Sequence, residues 1–454
     1  MSFNKVGLAV KSRSVSITTF VNVKDPIIHL GNLIDWQHLF ELCIEDLKKT
    51  SKGFWWRGRA ICLRVHFSIF VLQQLLKQTD RGIEDVVKAT PRYQVFCGYG
   101  LVPDWRCPDH TKIEDFRSRL SPETKKSFND YIVKLASALG FADPSWMDVD
   151  STVQEGNLAY PSDSNLMKKL ALKVAKVVQF LKKKGQKGFQ SLDVDIKAIC
   201  KKAQEYFFLS NKKDINTKRK IFKEYLQLVK AKLRKPIGKI SELDAITVPW
   251  NILNDIQTIK GKGWRYLLDV GHFVRTQTMK KGKILSLNLT AVACISKGKL
   301  DKKYEFGRQV QVGRIGGNYL LPLSTQVKME DKKSLVPMVE NHIQNFGQGC
   351  LLEVGTDKGF YSNKNIKTVS AMGINTDGVQ RPAPTKAKPP IEITQPLRDR
   401  RAGIEPLLGH LKSFGLKKSK MKSDSATHGS VYSCALGFNT HQLLRHIHLD
   451  SKAG

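Results

Sequence analysis

The sequence predicts an α/β core preceded by an all-helical region and interrupted by a basic helical insertion. Three observations predict it. Residues 58–140 carry apolar side chains at helical spacing. From Ile284 the pattern changes to strand-like alternation, and two short apolar stretches end in acids, at Asp150 and at Asp357. Between those acids, residues 161–261 are amphipathic and rich in lysine.

Taken in order, residues 1–57 form an N-terminal arm. A small helix is expected from Gly31-Asn32-Leu33 through Leu47. Trp55 and Trp56 beside Arg57 and Arg59 read as a packed aromatic pair or as rings for base stacking. Ile61, Val65, Ile69, Leu72 and Leu76 then make one helical stripe. Thr79 or Asp80 caps a second helix carrying Ile83, Val86 and Val87, and so short a joint is compatible with a helix-turn-helix arrangement. Thr111 and Glu114 have the spacing of a capping box. Ser121-Pro122 starts a longer helix that buries Phe128, Ile132, Leu135 and Leu139 and stops at Gly140.

Composition bounds the partners. The chain has 454 residues, with 75 Lys+Arg against 41 Asp+Glu, a formal net charge of +34. Such an excess points to a polyanion, nucleic acid before a membrane surface. No apolar run reaches the roughly 18 residues of a spanning helix, and no secretion signal is visible. The 8 cysteines are scattered with no Cys-x-x-Cys pair, which argues against structural zinc and a disulfide scaffold and fits a reducing cytoplasm. Within the insertion, Lys168, Lys169, Lys173, Lys176, Lys218 and Lys220 alternate with buried-type residues such as Leu170, Val174, Ile221 and Tyr225. These read as amphipathic helices with a phosphate-facing surface.

Three stretches carry the chemistry. Residues 401–412 read as one helix that puts Arg401, Glu405, Leu408 and Lys412 on one face, with Ile404, Leu407 and Leu411 buried beside it. Alone, that pattern is also what a solvent-exposed salt-bridged helix shows. Trp146 to Thr152 reads as a short strand whose alternation sets Asp148 and Asp150 on one face, so either can be a ligand. Leu351 to Phe360 reads as another strand, ending at Asp357 before a glycine turn. Two acids at strand ends and one on a helix suit magnesium, which takes hard oxygen ligands and keeps waters for substrate to displace. Two such ions activate an attacking oxygen and stabilise a leaving one.

Beyond these, Leu285, Leu287 and Leu289 alternate as a strand, as do Phe306, Arg308, Val310 and Val312. Gly316-Gly317-Asn318 is a turn before a strand from Tyr319 to Leu323. Ser334 is the expected cap of a helix ending at Gly347; a helix follows near 362–372 and a strand near 374–376. Residues 377–397, with five prolines, read as a mobile loop over the active site. A final helix spans roughly 425–446, and His428, His441, His446 and His448 are read as surface residues.

These motifs resemble those of the DDE transposases of bacterial insertion sequences, in the broad group that includes the insertion sequence four and five families. Asp150-Ser-Thr-Val with Tyr160-Pro-Ser-Asp-Ser-Asn-Leu166 is similar to that group's first motif, and Asp357-Lys-Gly-Phe360 to its second. The third motif, Tyr-x2-Arg-x3-Glu-x6-Lys, is matched by Arg401, Glu405 and Lys412, with Arg398 standing where the tyrosine would be. Pro108-Asp-His-Thr111 and Phe116-Arg-x-Arg-Leu120 resemble signatures of the N-terminal domain in such proteins.

The resemblance covers roughly residues 58–447. It implies an α/β ribonuclease-H-like catalytic core with an all-helical N-terminal DNA-binding domain and a basic helical insertion. It selects Asp150 over Asp148, because the family's acid directly precedes Ser-Thr. Asp150, Asp357 and Glu405 would be catalytic and hold two Mg2+ (or Mn2+) ions. Arg401, Lys412, Arg398 and Lys358 would grip DNA. The expected organisation is 1–57 arm, 58–140 helical DNA-binding domain, 141–160 with 262–424 catalytic domain, 161–261 insertion and 425–454 C-terminal helix. The implied partners are element ends and target DNA, with a homodimer in the synaptic complex, no membrane, and a cytoplasmic, nucleoid-associated location. Two rivals are a transposase-derived DNA-binding protein without catalysis and a nuclease without strand transfer.

Overall fold

The structure is a computed structural model; it describes residues 21–22, 24–50, 61–158, 162–210, 214–244, 246–278, 280, 282–296, 304–380 and 395–453. The expectations for Trp55, Trp56, Tyr160 and the proline-rich loop centre fall outside them. Two compact units divide the chain, residues 1–157 with 295–454, and residues 158–294.

The first unit is built on a six-stranded sheet. Its strands are β1 (Trp146–Glu155), β2 (Ala293–Ser296), β3 (Tyr304–Ile315), β4 (Tyr319–Leu323), β5 (Glu353–Thr356) and β6 (Asn375–Val379). The order is β2-β3-β1-β5-β6, with β4 also paired to β3. β1 runs antiparallel to β3, β3 antiparallel to β4, and β1, β5 and β6 run parallel. The β3–β4 hairpin turns at Gly317, whose φ of 73° is a left-handed conformation, and a Cβ there would strike the Phe141 carbonyl.

One face of the sheet buries Met147, Val149 and Val354 with Leu335, Met338 and Val339 of the helix Asp331–Phe346. That core continues into the N-terminal helices, through Val65, Phe67 and Leu72 of the helix Leu63–Leu75 and Phe128 and Ile132 of the helix Pro122–Ala138. The helical region and this sheet face therefore share one core. Ser121 caps the latter helix by accepting from Thr124 N, with Pro122 in the first turn, as the sequence predicts. Thr79 caps the helix Asp80–Ala89. The cap expected from Thr111 and Glu114 is instead Asp109, whose carboxylate accepts from Lys112 N. The carboxylate two residues earlier wins because it reaches the orphan N–H of the first turn directly.

The opposite face buries Val310, Val312 and Leu320 against Ile404, Leu408 and Leu411 and against Val431, Ala435 and Phe438 of the C-terminal helix Asp424–Ala453. His441 and His448 are exposed as expected, but His428 and His446 are half-buried, and His446 Nδ1 lies 2.8 Å from the Tyr319 hydroxyl. These two fall on the packed side of a helix longer than the sequence suggests.

The second unit is all helical apart from its C-terminal end, with its own core of Leu170, Val174, Tyr225, Val229, Leu233 and Tyr266 among others. Its longest helix is Ile215–Ser241, capped by Asp214. The strand expected at Leu285–Leu289 does not form. Leu287 and Leu289 are buried, yet Lys262 Nζ donates to the Ser286 and Leu287 carbonyls at 3.3 and 3.2 Å, and Ser286 Oγ accepts from Leu289 N. Side chains have taken the backbone groups a ladder would need. Among the described residues no helix is long and apolar enough to cross a membrane.

Candidate active site

The site is built on β1 and β5. Their parallel register pairs Asp148 with Gly355 and Val149 with Thr356. The paired residues end there: Asp150 is the next residue of β1, and Asp357 is the residue that follows β5. Asp150 is half-buried and its Oδ1 accepts from Ser151 N at 2.6 Å. Asp357 is half-buried too and caps a 3-10 turn, Lys358–Phe360, by accepting from Gly359 N at 2.9 Å. Lys358 in that turn is exposed.

Alternation puts Asp150 on the sheet face of Val312, its cross-strand partner, which packs with Ile404 and Leu408. The helix Ile404–Leu411 therefore lies on the face of the sheet that bears Asp150. Glu405 stands in its first turn and is exposed, while Ile404, Leu407, Leu408 and Leu411 are buried.

The single helix expected over 401–412 is a correction. Arg401 belongs to a separate helix, Gln395–Ala402; Gly403 breaks the path; Lys412 begins a π turn, Lys412–Leu416. The cause of the break is a tertiary contact. The Arg400 carbonyl accepts from Gly403 N at 3.2 Å and from Arg314 Nη1 at 2.6 Å, and a Cβ at Gly403 would collide with the Arg314 guanidinium. Arg401 and Lys412 are each half-buried, and among the described residues Arg401 and Glu405 make no ion pair. Arg398 lies in the Gln395–Ala402 helix with its side chain outside the described residues.

Around Arg400, just before that break, lies a charged cluster that the sequence does not reveal. Arg400 Nη1 lies 2.7 Å from Glu353 Oε2, and its Nη2 and Nε lie 3.1 and 3.2 Å from Asp148 Oδ1. Arg314 Nη1 is 3.8 Å from the other Asp148 oxygen. Both guanidiniums stand over the Trp146 ring, at 4.7 Å for Arg400 and 5.4 Å for Arg314. Asp148 is fully buried; burial pushes its carboxyl above the usual range, while Arg400 and Arg314 pull it down. Two arginines thus face Asp148. Asp331 is a further acid missed from sequence. A Cβ at Gly359 would lie 3.1 Å from Asp357 Oδ1 and 3.4 Å from Asp331 Oδ2. Asp331 also accepts from Gln309 Nε2 at 2.8 Å.

Among the described residues no group of three or more His, Cys, Asp or Glu side chains is close enough together to hold a metal ion. What the fold presents is Asp150 in the middle of β1, Asp357 just past the end of β5, and Glu405 on a helix of the sheet face that bears Asp150. The strand expected to end at the first acid runs on to Glu155.

Residues 15–119 match a family of proteins described as "Transposase domain (DUF772)". That segment takes in the N-terminal helices through His110–Arg119 and none of the three acids. One curated relative, the uncharacterized protein ORF8 in the nfe locus of Rhizobium meliloti, is 25% identical over 196 residues, which is 42% of this chain and 89% of the relative. No solved structure matches. The chain thus has a general relationship to transposases, carried by its N-terminal helical region.

Proposed function

We propose that this chain is a DDE transposase of an insertion sequence, which binds element ends and catalyses DNA cleavage and strand transfer. The observation that carries the reading is the parallel pairing of β1, which bears Asp150, with β5, which ends one residue before Asp357. The transposase-domain match supports it from an independent part of the chain. The strand order, with β4, β3 and β1 as an antiparallel set followed by parallel β5 and β6, supports a ribonuclease-H-like core.

The donor set fits magnesium or manganese. Such ions take hard oxygens and need only one or two protein carboxylates beside water and phosphate. Asp150 and Asp357 supply those, and Glu405 offers a third from the adjoining helix. Bound there, the ions would activate water at the scissile phosphate and stabilise the leaving oxygen. The cations do different work. Arg401, Lys412, Arg398 and Lys358 hold DNA phosphates, arginine by a two-pronged contact and lysine as a point charge. The overall charge of +34 supplies the attraction to duplex. Water attack on the scissile phosphodiester breaks its P–O3′ bond, leaving a 5′-phosphate and a free 3′-hydroxyl. That hydroxyl then attacks a target phosphodiester and displaces the target strand's 3′-hydroxyl. A homodimer would hold two ends together.

A second reading is a DNA-binding protein derived from a transposase but without cleavage. It is favoured by one observation, the lack of a three-acid cluster among the described residues. The test is cleavage of a duplex carrying the DNA that flanks the gene, in Mn2+ or Mg2+. The proposal expects nicking at the element boundary by the native chain and none by Asp357→Asn. Binding without cleavage in either metal would favour the second reading, and cleavage without joining would make the chain a nuclease.

A further inference from the structure

We infer that Arg400 is the positioning residue that fixes where the Glu405 helix begins on the sheet face that bears Asp150, and that metal affinity depends on it. The inference rests on the metal-binding reading above.

The helix Ile404–Leu411 is held to β1 at both ends. Behind it, Lys417 O accepts from Glu155 N at 3.2 Å, and Ser419 N donates to Glu155 O at 2.8 Å. In front of it stands Arg400. Its guanidinium grips Asp148 of β1 and Glu353 of β5, so one side chain ties the helical segment to both acid-bearing strands. Its own carbonyl is held by Arg314, which ends the preceding helix and sets where the next begins. Glu405 follows five residues later, in the first turn of that new helix.

The placement is costly, which argues that it is not an incidental ion pair. Asp148 is fully buried, and Gly355 and Gly403 both lack the Cβ that would collide with this cluster. Two carboxylates and two guanidiniums balance in charge, so the cluster needs no ion of its own. Its geometry is what matters. A lysine has no fork and cannot hold Asp148 and Glu353 together as Arg400 does. Groups that orient metal ligands typically change metal affinity about 10- to 100-fold when lost.

The experiment is Mn2+ binding to the full chain, followed by calorimetry and by the electron paramagnetic resonance signal of free Mn2+, for the native protein, Arg400→Lys, Glu353→Gln, Glu405→Gln and Asp357→Asn. Arg400→Lys keeps the charge, and the rear tether and buried leucines keep the helix packed. It is expected to fold with native circular dichroism and to bind Mn2+ at least about tenfold more weakly. In the Arg400→Lys background, Glu405→Gln should then cost little more, because Glu405 is no longer held in reach. Should Arg400→Lys fail to fold, Glu353→Gln loosens the same grip from its more exposed side and is expected to weaken Mn2+ binding in the same direction. Native Mn2+ affinity in a folded Arg400→Lys, or in Glu353→Gln when that is the variant that folds, overturns the inference. Native protein that binds no Mn2+, or whose binding is indifferent to Asp357→Asn, instead overturns the metal-binding reading on which it rests.

Discussion

Asp148 Oδ1 fills the space where a Cβ on Gly355 would sit, on the strand directly beside it. The absence of one methyl group lets a buried carboxylate lie flat between β1 and β5 and meet Arg400. Gly355→Ala should therefore push Asp148 off Arg400 and destabilise the fold by about 1–3 kcal/mol, the usual cost of overpacking a tight core. Urea unfolding measures it. An unchanged midpoint would show that the cluster can shift at no cost.

Asp148 and Asp150 should separate cleanly. Asp150→Asn is expected to leave folding and DNA binding nearly native and to abolish cleavage, because affinity comes from phosphate contacts. Asp148→Asn removes the partner of two guanidiniums; breaking a buried pair costs on the order of 3 kcal/mol or more. Its main effect should be a lowered melting temperature. Cleavage retained by Asp150→Asn and lost in a well-folded Asp148→Asn would reverse the two roles.

Salt should reveal how the insertion is used. The helix Ile215–Ser241 exposes Arg219, Lys220, Lys223, Arg234 and Lys235. Changing these five to Gln should lower the slope of log affinity against log salt for duplex DNA, by about 0.9 for each phosphate contact removed. A slope identical to that of the native protein would mean that these cations only face water.

Acid should weaken the fold through His342. Its ring is fully buried, 4.8 Å from Phe346, and burial pushes its pKa from 6.5 down to about 4. Between those values the unfolded chain binds a proton that the native chain does not. This histidine's contribution is thus complete above about pH 6.5 and falls away as pH drops toward 4. The loss is on the order of 1–3 kcal/mol. His342→Leu should flatten the stability profile across that window, and equal profiles for the two proteins would rule out this source.

The sequence makes some of this legible, for physical reasons. The Ser121-Pro122 cap and the Phe306–Val312 alternation are local signals, and the elements they mark form. The first and second acids are visible because each follows a short apolar run, although Asp150 lies inside β1, which continues to Glu155, and only Asp357 follows a strand end. Arg400 is not visible, since it stands in a run with Arg398 and Arg401 and its partners Asp148 and Glu353 are remote in sequence. Spacing alone carries one helix from Arg401 through Glu405; only the fold brings Arg314 to the Arg400 carbonyl and breaks it. Leu285, Leu287 and Leu289 alternate like a strand because burial on one side demands alternation whether or not a ladder forms.

The register of β1 against β3 has a consequence for how the chain folds. Asp150 pairs with Val312, and the whole second unit lies between them in the chain. On the ribosome β1 emerges long before its antiparallel partner. Closing so long a loop while it is still unstructured carries an entropy cost that grows with its length. The second unit has a hydrophobic core of its own, so its collapse shortens the loop that β1 and β3 must close. Assembly of the acid-bearing sheet is then expected to be the late step, waiting on a segment that contributes neither β1 nor β5.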